Sequence, residues 1–126
     1  MNLETTYVHL RDDRRDTLQP VTETFWPELT ANQRPDLDPG RLVMSFSFTE
    51  DWPTWEIHPA GDEVVALVSG AATLVLETPQ GEVLHTLSRP GDFVIVPRGV
   101  WHTARISSPC TMLFITPGEG TENRPR

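Results

Sequence analysis

Three things that often decide what a small protein touches are scarce in this sequence. It has a single cysteine, Cys110, so no internal disulfide can form and nothing demands an oxidising compartment. It is poor in positive charge, with ten basic against eighteen acidic side chains, a net charge of −8 and a pI near 4.8. Nucleic acids and anionic membranes reward clustered Lys and Arg, so both are set aside as partners. Long apolar runs are also missing. The most apolar windows, Val64–Val68 and Phe93–Val96, fall far short of the ~20 residues a membrane-spanning helix requires. The N-terminus, MNLETTYVHLRDDRRD, has neither an apolar signal core nor an arginine-rich, acid-poor transit pattern. The expectation is a soluble, cytoplasmic protein.

What is present is enough for one compact domain: 126 residues, of which 37% are apolar. Twelve prolines are spread along the chain as turn and edge markers. Between them, Leu42, Met44, Phe46 and Phe48 alternate with Val43, Ser45, Ser47 and Thr49, the period of a half-buried strand. Further strand-like runs are Thr54–His58, Val64–Ser69, Ala72–Glu77, Glu82–Leu87, Phe93–Pro97, Trp101–Ile106 and Thr111–Thr116. Turn formers separate them, among them Pro59-Ala60-Gly61-Asp62, Ser69-Gly70, Pro79-Gln80-Gly81, Pro90-Gly91-Asp92 and Ser107-Ser108-Pro109. Short strands at roughly ten-residue spacing predict an all-β antiparallel sandwich or barrel. Residues 1–40 read as an irregular extension packing on a barrel of residues 41–117. In that extension Phe25, Trp26 and Leu29 fit one helical turn, and Asn32–Gly40 reads as a loop. The polar tail, residues 118–126, is either mobile or a flap over one end.

The chemistry concentrates in Trp55–Gly70, WEIHPAGDEVVALVSG, and Gly91–His102, GDFVIVPRGVWH. Glu56 and His58 are two apart on a strand, so their side chains leave the same face. Glu63 opens the next strand after a tight turn that should return it beside them, and His102 begins a later strand. Two imidazoles and two carboxylates converging inside a small barrel form a donor set for a divalent transition metal. Without a cation, two neighbouring buried carboxylates repel until one is protonated.

These two stretches resemble the paired motifs of the cupins, small β-barrels of the germin and RmlC-like type. The first cupin motif runs His-x-His, three or four residues, Glu, six residues, Gly; here His58, Glu63 and Gly70 keep that spacing. The second runs Gly, five residues, Pro-x-Gly, two residues, His, three residues, Asn; here it is Gly91, Pro97-Arg98-Gly99 and His102. Glu56 stands where the first histidine of the pair would be, and Ile106 where the Asn would be. The longer pattern is also similar to a group of small bacterial single-domain cupins.

The resemblance implies an antiparallel double-stranded β-helix, or jelly roll, and one divalent metal (Fe, Mn, Ni or Zn) held by His58, Glu63, His102 and Glu56. It further implies a metal-dependent enzyme acting on a small, oxygen-chelating organic substrate, such as a dioxygenase, isomerase, decarboxylase or lyase. The alternative is a non-catalytic cupin that binds or senses a small, sugar-like molecule. Glu56 has three open roles: metal ligand, catalytic acid/base beside a three-coordinate site, or partner of an arginine such as Arg98. Anionic oxygen donors favour Mn or Fe over metals that prefer soft ligands. Few interior cations suit a neutral or enolisable substrate better than a phosphorylated or polycarboxylate one.

Met44, Phe46, Met112 and Phe114 are expected in the core, with Phe46 and Phe114 lining a substrate pocket at the barrel mouth. Trp55 and Trp101 alternate with Glu56 and His102 and so face away from the site. Together with Trp52 they would form an outer apolar patch, from which a homodimer is expected. His9 and His85 have no partners at ligand spacing and read as surface residues, and Cys110 as an inert buried thiol.

Overall fold

The computed structural model describes all 126 residues. Its strands are β1 (Thr6–Leu10), β2 (Asp16–Pro20), β3 (Arg41–Phe48), β4 (Thr54–Ile57), β5 (Glu63–Thr78), β6 (Gly81–Leu87), β7 (Phe93–Val96), β8 (His102–Thr116) and β9 (Glu122–Pro125), with one short α-helix, α1 (Phe25–Thr30), and one turn of 3-10 helix at Pro35–Leu37. All pairings are antiparallel.

Two of these strands are long enough to serve both layers of the fold. The N-terminal half of β5 pairs with β7 and with the C-terminal half of β8, which continues through β3 and β1 to β2. The C-terminal half of β5 pairs with β6 and with the start of β8, which meets β4, and β4 meets β9. The result is two layers, β2-β1-β3-β8-β5-β7 and β9-β4-β8-β5-β6, joined where β5 and β8 bend together. Inward residues such as Val65, Leu67, Leu74, Val96, Ala104 and Met112 are almost wholly buried and form the core. This is the jelly roll that the strand pattern and the motifs predict.

The bends explain two differences from the sequence reading. Ser69-Gly70 and Ser107-Ser108-Pro109 are not turns that end strands; they lie inside β5 and β8, where the register between the two strands shifts. Gly70 has φ of +79°, and a Cβ on it would stand 2.1 Å from the Pro109 carbonyl oxygen and 2.6 Å from the Cys110 Cα. Only a glycine permits the strands to cross so closely.

The N-terminal segment is also more regular than its composition suggests. Residues 6–20 form a hairpin that β1 joins to β3, burying Tyr7 and His9. His9 is therefore not a surface residue: it is 3% exposed, with Nε2 3.2 Å from the Pro39 carbonyl oxygen. α1 covers one end of the barrel, with Phe25 buried against Tyr7. At the other end of the chain, β9 lies along β4 as a flap.

The tryptophans do not form a shared outer patch. Trp52 is buried against Phe48 and Phe114 inside the barrel mouth. Trp55 and Trp101 flank Arg124 of β9, whose guanidinium carbon lies 5.3 and 4.6 Å from their ring centres. Their outer faces are thus covered by a cation from the same chain. The large apolar side chains left open lie elsewhere, among them Leu18 on β2, Leu84 on β6, and Phe93 and Ile95 on β7.

Candidate metal centre

Each donor reaches the barrel interior for a local reason. Glu56 and His58 flank Ile57 at the end of β4, and Glu56 pairs in register with His102, the first residue of β8. Asp62 closes the intervening turn by accepting the Arg98 backbone N–H at 2.8 Å. That contact ties the Pro59–Asp62 turn to the Pro97–Gly99 turn and brings Glu63 and His102 to the same depth. Arg98 itself donates its Nε–H to the Pro59 carbonyl at 2.6 Å. The role of Arg98 is to join the two turns, and it is not the partner of Glu56.

The four side chains converge. His58 Nε2 lies 3.2 Å from Glu63 Oε2 and 3.8 Å from Glu56 Oε2. His102 Nε2 lies 3.1 Å from Glu63 Oε1 and 4.0 Å from Glu56 Oε2. Donors bound to one ion at about 2.1 Å in an octahedral arrangement would stand roughly 3.0 Å apart when adjacent and about 4.2 Å when opposite. All four separations fall in that interval. Glu56, His58 and His102 also place one ligand atom each within 4.8 Å of one another.

Hydrogen bonding decides what faces inward. His102 Nδ1 is 3.0 Å from the Val100 carbonyl, which can only accept, so Nδ1 carries the proton. In the neutral ring Nε2 is then a bare lone pair, and it faces a carboxylate oxygen at 3.1 Å. Two acceptors at that distance require a cation or an added proton between them. His58 Nε2, His102 Nε2 and Glu63 Oε1 are all buried with no aligned hydrogen-bond partner. A divalent ion satisfies all three at once, so the residues present fit a metal.

Outer contacts hold the donors in place. His58 Nδ1 is 2.8 Å from the Thr121 hydroxyl, and the Thr116 hydroxyl donates to Glu63 Oε2 at 2.6 Å. Such partners fix ring and carboxylate orientation around a metal. Thr116 was readable in principle, because it continues the inward period of Met112 and Phe114. Thr121, in a tail with no pattern, carries no such signal.

The electrostatics differ between the two carboxylates. Burial pushes the Glu63 carboxyl up, but His102 and His58 outweigh it and hold it at about 2. Glu56 is pushed up by burial and by the neighbouring charge of Glu63. For His102 burial works against the charged form, yet the Glu63 contact prevails and raises its pKa. Cys110 is buried, its thiol pushed up by desolvation, as befits an unreactive core residue.

Above the donors opens a cleft of about 850 Å³, lined by Glu56, His58, Glu63, Trp52, Phe46 and Phe114 among others. Phe46 and Phe114 are both among the lining residues. Trp26 and Leu29 of α1 and residues 118–121 of the tail complete the walls. His85 lies elsewhere, on β6 opposite Leu74.

Comparison with known proteins agrees with this architecture. The family model described as the cupin domain matches residues 43–116. A protein with a double-stranded β-helix domain from Klebsiella pneumoniae is 21% identical, with a TM-score of 0.54, over 68% of this chain and 76% of its own. Hydroquinone 1,2-dioxygenase from Sphingomonas, solved with 4-hydroxybenzoate bound, is 18% identical, with a TM-score of 0.50, over 60% of this chain and 58% of its own. The oxalate decarboxylase of Bacillus subtilis, described with Mn(II) centres, is 14% identical, with a TM-score of 0.52, over 71% of this chain and 24% of its own. At these identities the likeness is one of fold. None of the curated proteins compared matches the chain.

Proposed function

Because this chain belongs to the cupin superfamily, we propose that it holds one divalent transition metal between His58, His102, Glu63 and Glu56 and is an enzyme acting on a small, oxygen-bearing organic molecule. The observation that carries this reading is the bare, buried His102 Nε2 set against an equally bare Glu63 oxygen at 3.1 Å. A metal bound there supplies a Lewis acid that polarises a substrate oxygen. Two carboxylates with two imidazoles favour Mn or Fe.

The chain's own residues have separable tasks. His58 and His102 would turn their Nε2 lone pairs to the metal, and Glu63, almost wholly buried and held at about 2, contributes a negative charge. Glu56 is a third exposed and borders the cleft, so it is the most accessible of the four to a substrate. In the metal-free protein burial and Glu63 raise its proton affinity; its place at the edge of the cleft is what suits it to take and return a proton at its carboxyl oxygen.

The test is elemental analysis of untagged protein purified without chelator or added metal. The expected result is close to one Fe or Mn per chain, lost in His58→Ala and in His102→Ala while the barrel stays folded. Glu56→Gln should retain the metal, since its oxygen is the most distant of the donors and glutamine keeps an oxygen there. A folded wild-type protein that carries and takes up no metal overturns this function and leaves a binding module.

A further inference from the structure

The wall of the cleft carries information that the metal reading does not use. Phe46, Phe48, Trp52 and Phe114 touch ring to ring, with centroids 5.6 to 6.2 Å apart. Trp26 of α1 extends the series, 5.9 Å from Phe46. At the deep end Trp52 lies 6.2 Å from the His102 ring. A continuous aromatic surface therefore runs from the mouth to the donor cluster. Aromatic ligands gain from such a surface beyond the area they bury, because ring edges and faces attract one another.

The second observation is the charge of the same cleft. Asp38, Glu50, Asp51 and Glu119 line it in addition to Glu56 and Glu63. Arg34 is the single basic residue among the lining side chains, and the sequence has no lysine. Its guanidinium is already committed: it donates twice to Asp36 at 3.0 Å and once to Gln19 at 2.7 Å, and lies 5.5 Å over the Phe25 ring. Asp51 is partly compensated by the Ile106 N–H at 2.6 Å and by Arg126 at 3.8 Å. The other rim acids have no basic partner among the ion pairs. An anionic ligand would shed its hydration to enter a field of its own sign with no free cation to receive it. A divalent ion held between Glu63 and an ionised Glu56 has no surplus charge to offer it either.

We infer that the cleft selects an uncharged, planar aromatic molecule bearing ring hydroxyls, a neutral phenol, and rejects carboxylates and phosphates of similar size. This rests on the proposed metal centre for the end at which the hydroxyl is received. The ring selection rests on the wall alone. A volume near 850 Å³ accommodates a molecule of one or two rings.

Calorimetric titration of the full chain, Mn-loaded and metal-free, tests it with three probes kept under argon. Hydroquinone carries the ring and no charge, 4-hydroxybenzoate carries the ring and a carboxylate, and cyclohexane-1,4-diol has the size and the hydroxyls without the ring. Hydroquinone should bind roughly tenfold more tightly than either of the others. Glu50→Gln combined with Glu119→Gln, both exposed, should narrow the gap between hydroquinone and 4-hydroxybenzoate. Equal affinity for hydroquinone and cyclohexanediol overturns the inference, and so does 4-hydroxybenzoate binding as well as hydroquinone. The same order of preference in protein that takes up no metal supports the cleft inference while removing the metal centre. Metal retained with no preference among the probes does the reverse.

Discussion

At the scale of single residues, the site was readable wherever chemistry and spacing coincide. Glu56 and His58 share a face because they are two apart on a strand, and the Pro-Ala-Gly-Asp turn returns Glu63 beside them. His102 follows a second tight turn, tied to the first through Asp62 and Arg98. What the sequence hides is the layer behind the donors, since a threonine hydroxyl has no distinctive pattern. Thr116 matters because Glu63 is a buried carboxylate and each of its oxygens needs a donor or a cation. Thr116→Val keeps the shape and removes the hydroxyl that lies 2.6 Å from Oε2. The metal-free variant should lose about 1–3 kcal/mol of stability in urea unfolding, the cost of leaving a buried charged acceptor short of a partner. An unchanged midpoint would show that the hydroxyl does not serve Glu63.

Elements were readable where one face is buried and the other is not, as in β3, and less so where a strand bends or is mostly exposed. β2 alternates only between exposed and half-buried positions, so the N-terminal hairpin offers a weak pattern. The bends of β5 and β8 carry Gly, Ser and Pro, the same residues that end strands elsewhere. Composition cannot separate a turn from a crossing, and only the closeness of Gly70 to Pro109 does. β9 is the element with most bearing on the site. It pairs with β4, fills the space between Trp55 and Trp101 through Arg124, and its lead-in brings Thr121 to His58. The tail is therefore a positioning element, holding the His58 ring with Nε2 directed inward. Thr121→Val should weaken metal binding about 10–100-fold in competition with a chelator, and Thr121→Ser should restore it. Equal affinity in all three proteins would reduce β9 to a cover.

For the whole molecule, the burial of Trp52 and the cover of Arg124 over Trp55 and Trp101 leave any self-association to be argued from other exposed apolar side chains, of which Phe93 on β7 is 63% exposed. The net charge of −8 is concentrated where it acts, around a cleft poor in free cations. The buried cluster also links the stability of the whole fold to pH, and the proposed metal predicts that the sign of that link reverses when Mn is added. In the metal-free protein Glu63 is held at about 2 instead of 4.5. Its contribution is complete above the ordinary carboxylate range and is lost as pH falls toward about 2. His102 is raised above 6.5, so its contribution is complete below that value and is lost as pH rises through the raised one. Glu56, raised above 4.5, has the same sign as His102. The urea midpoint of metal-free protein should therefore fall as pH rises above about 6.5 and the proton between His102 and Glu63 is lost. A metal competes with that proton and binds better as it leaves, so with excess Mn the midpoint should rise over the same range. If the metal-free midpoint rises as well, no proton is shared between His102 and Glu63. If added Mn leaves the slope unchanged, the four donors do not hold a metal in the folded state.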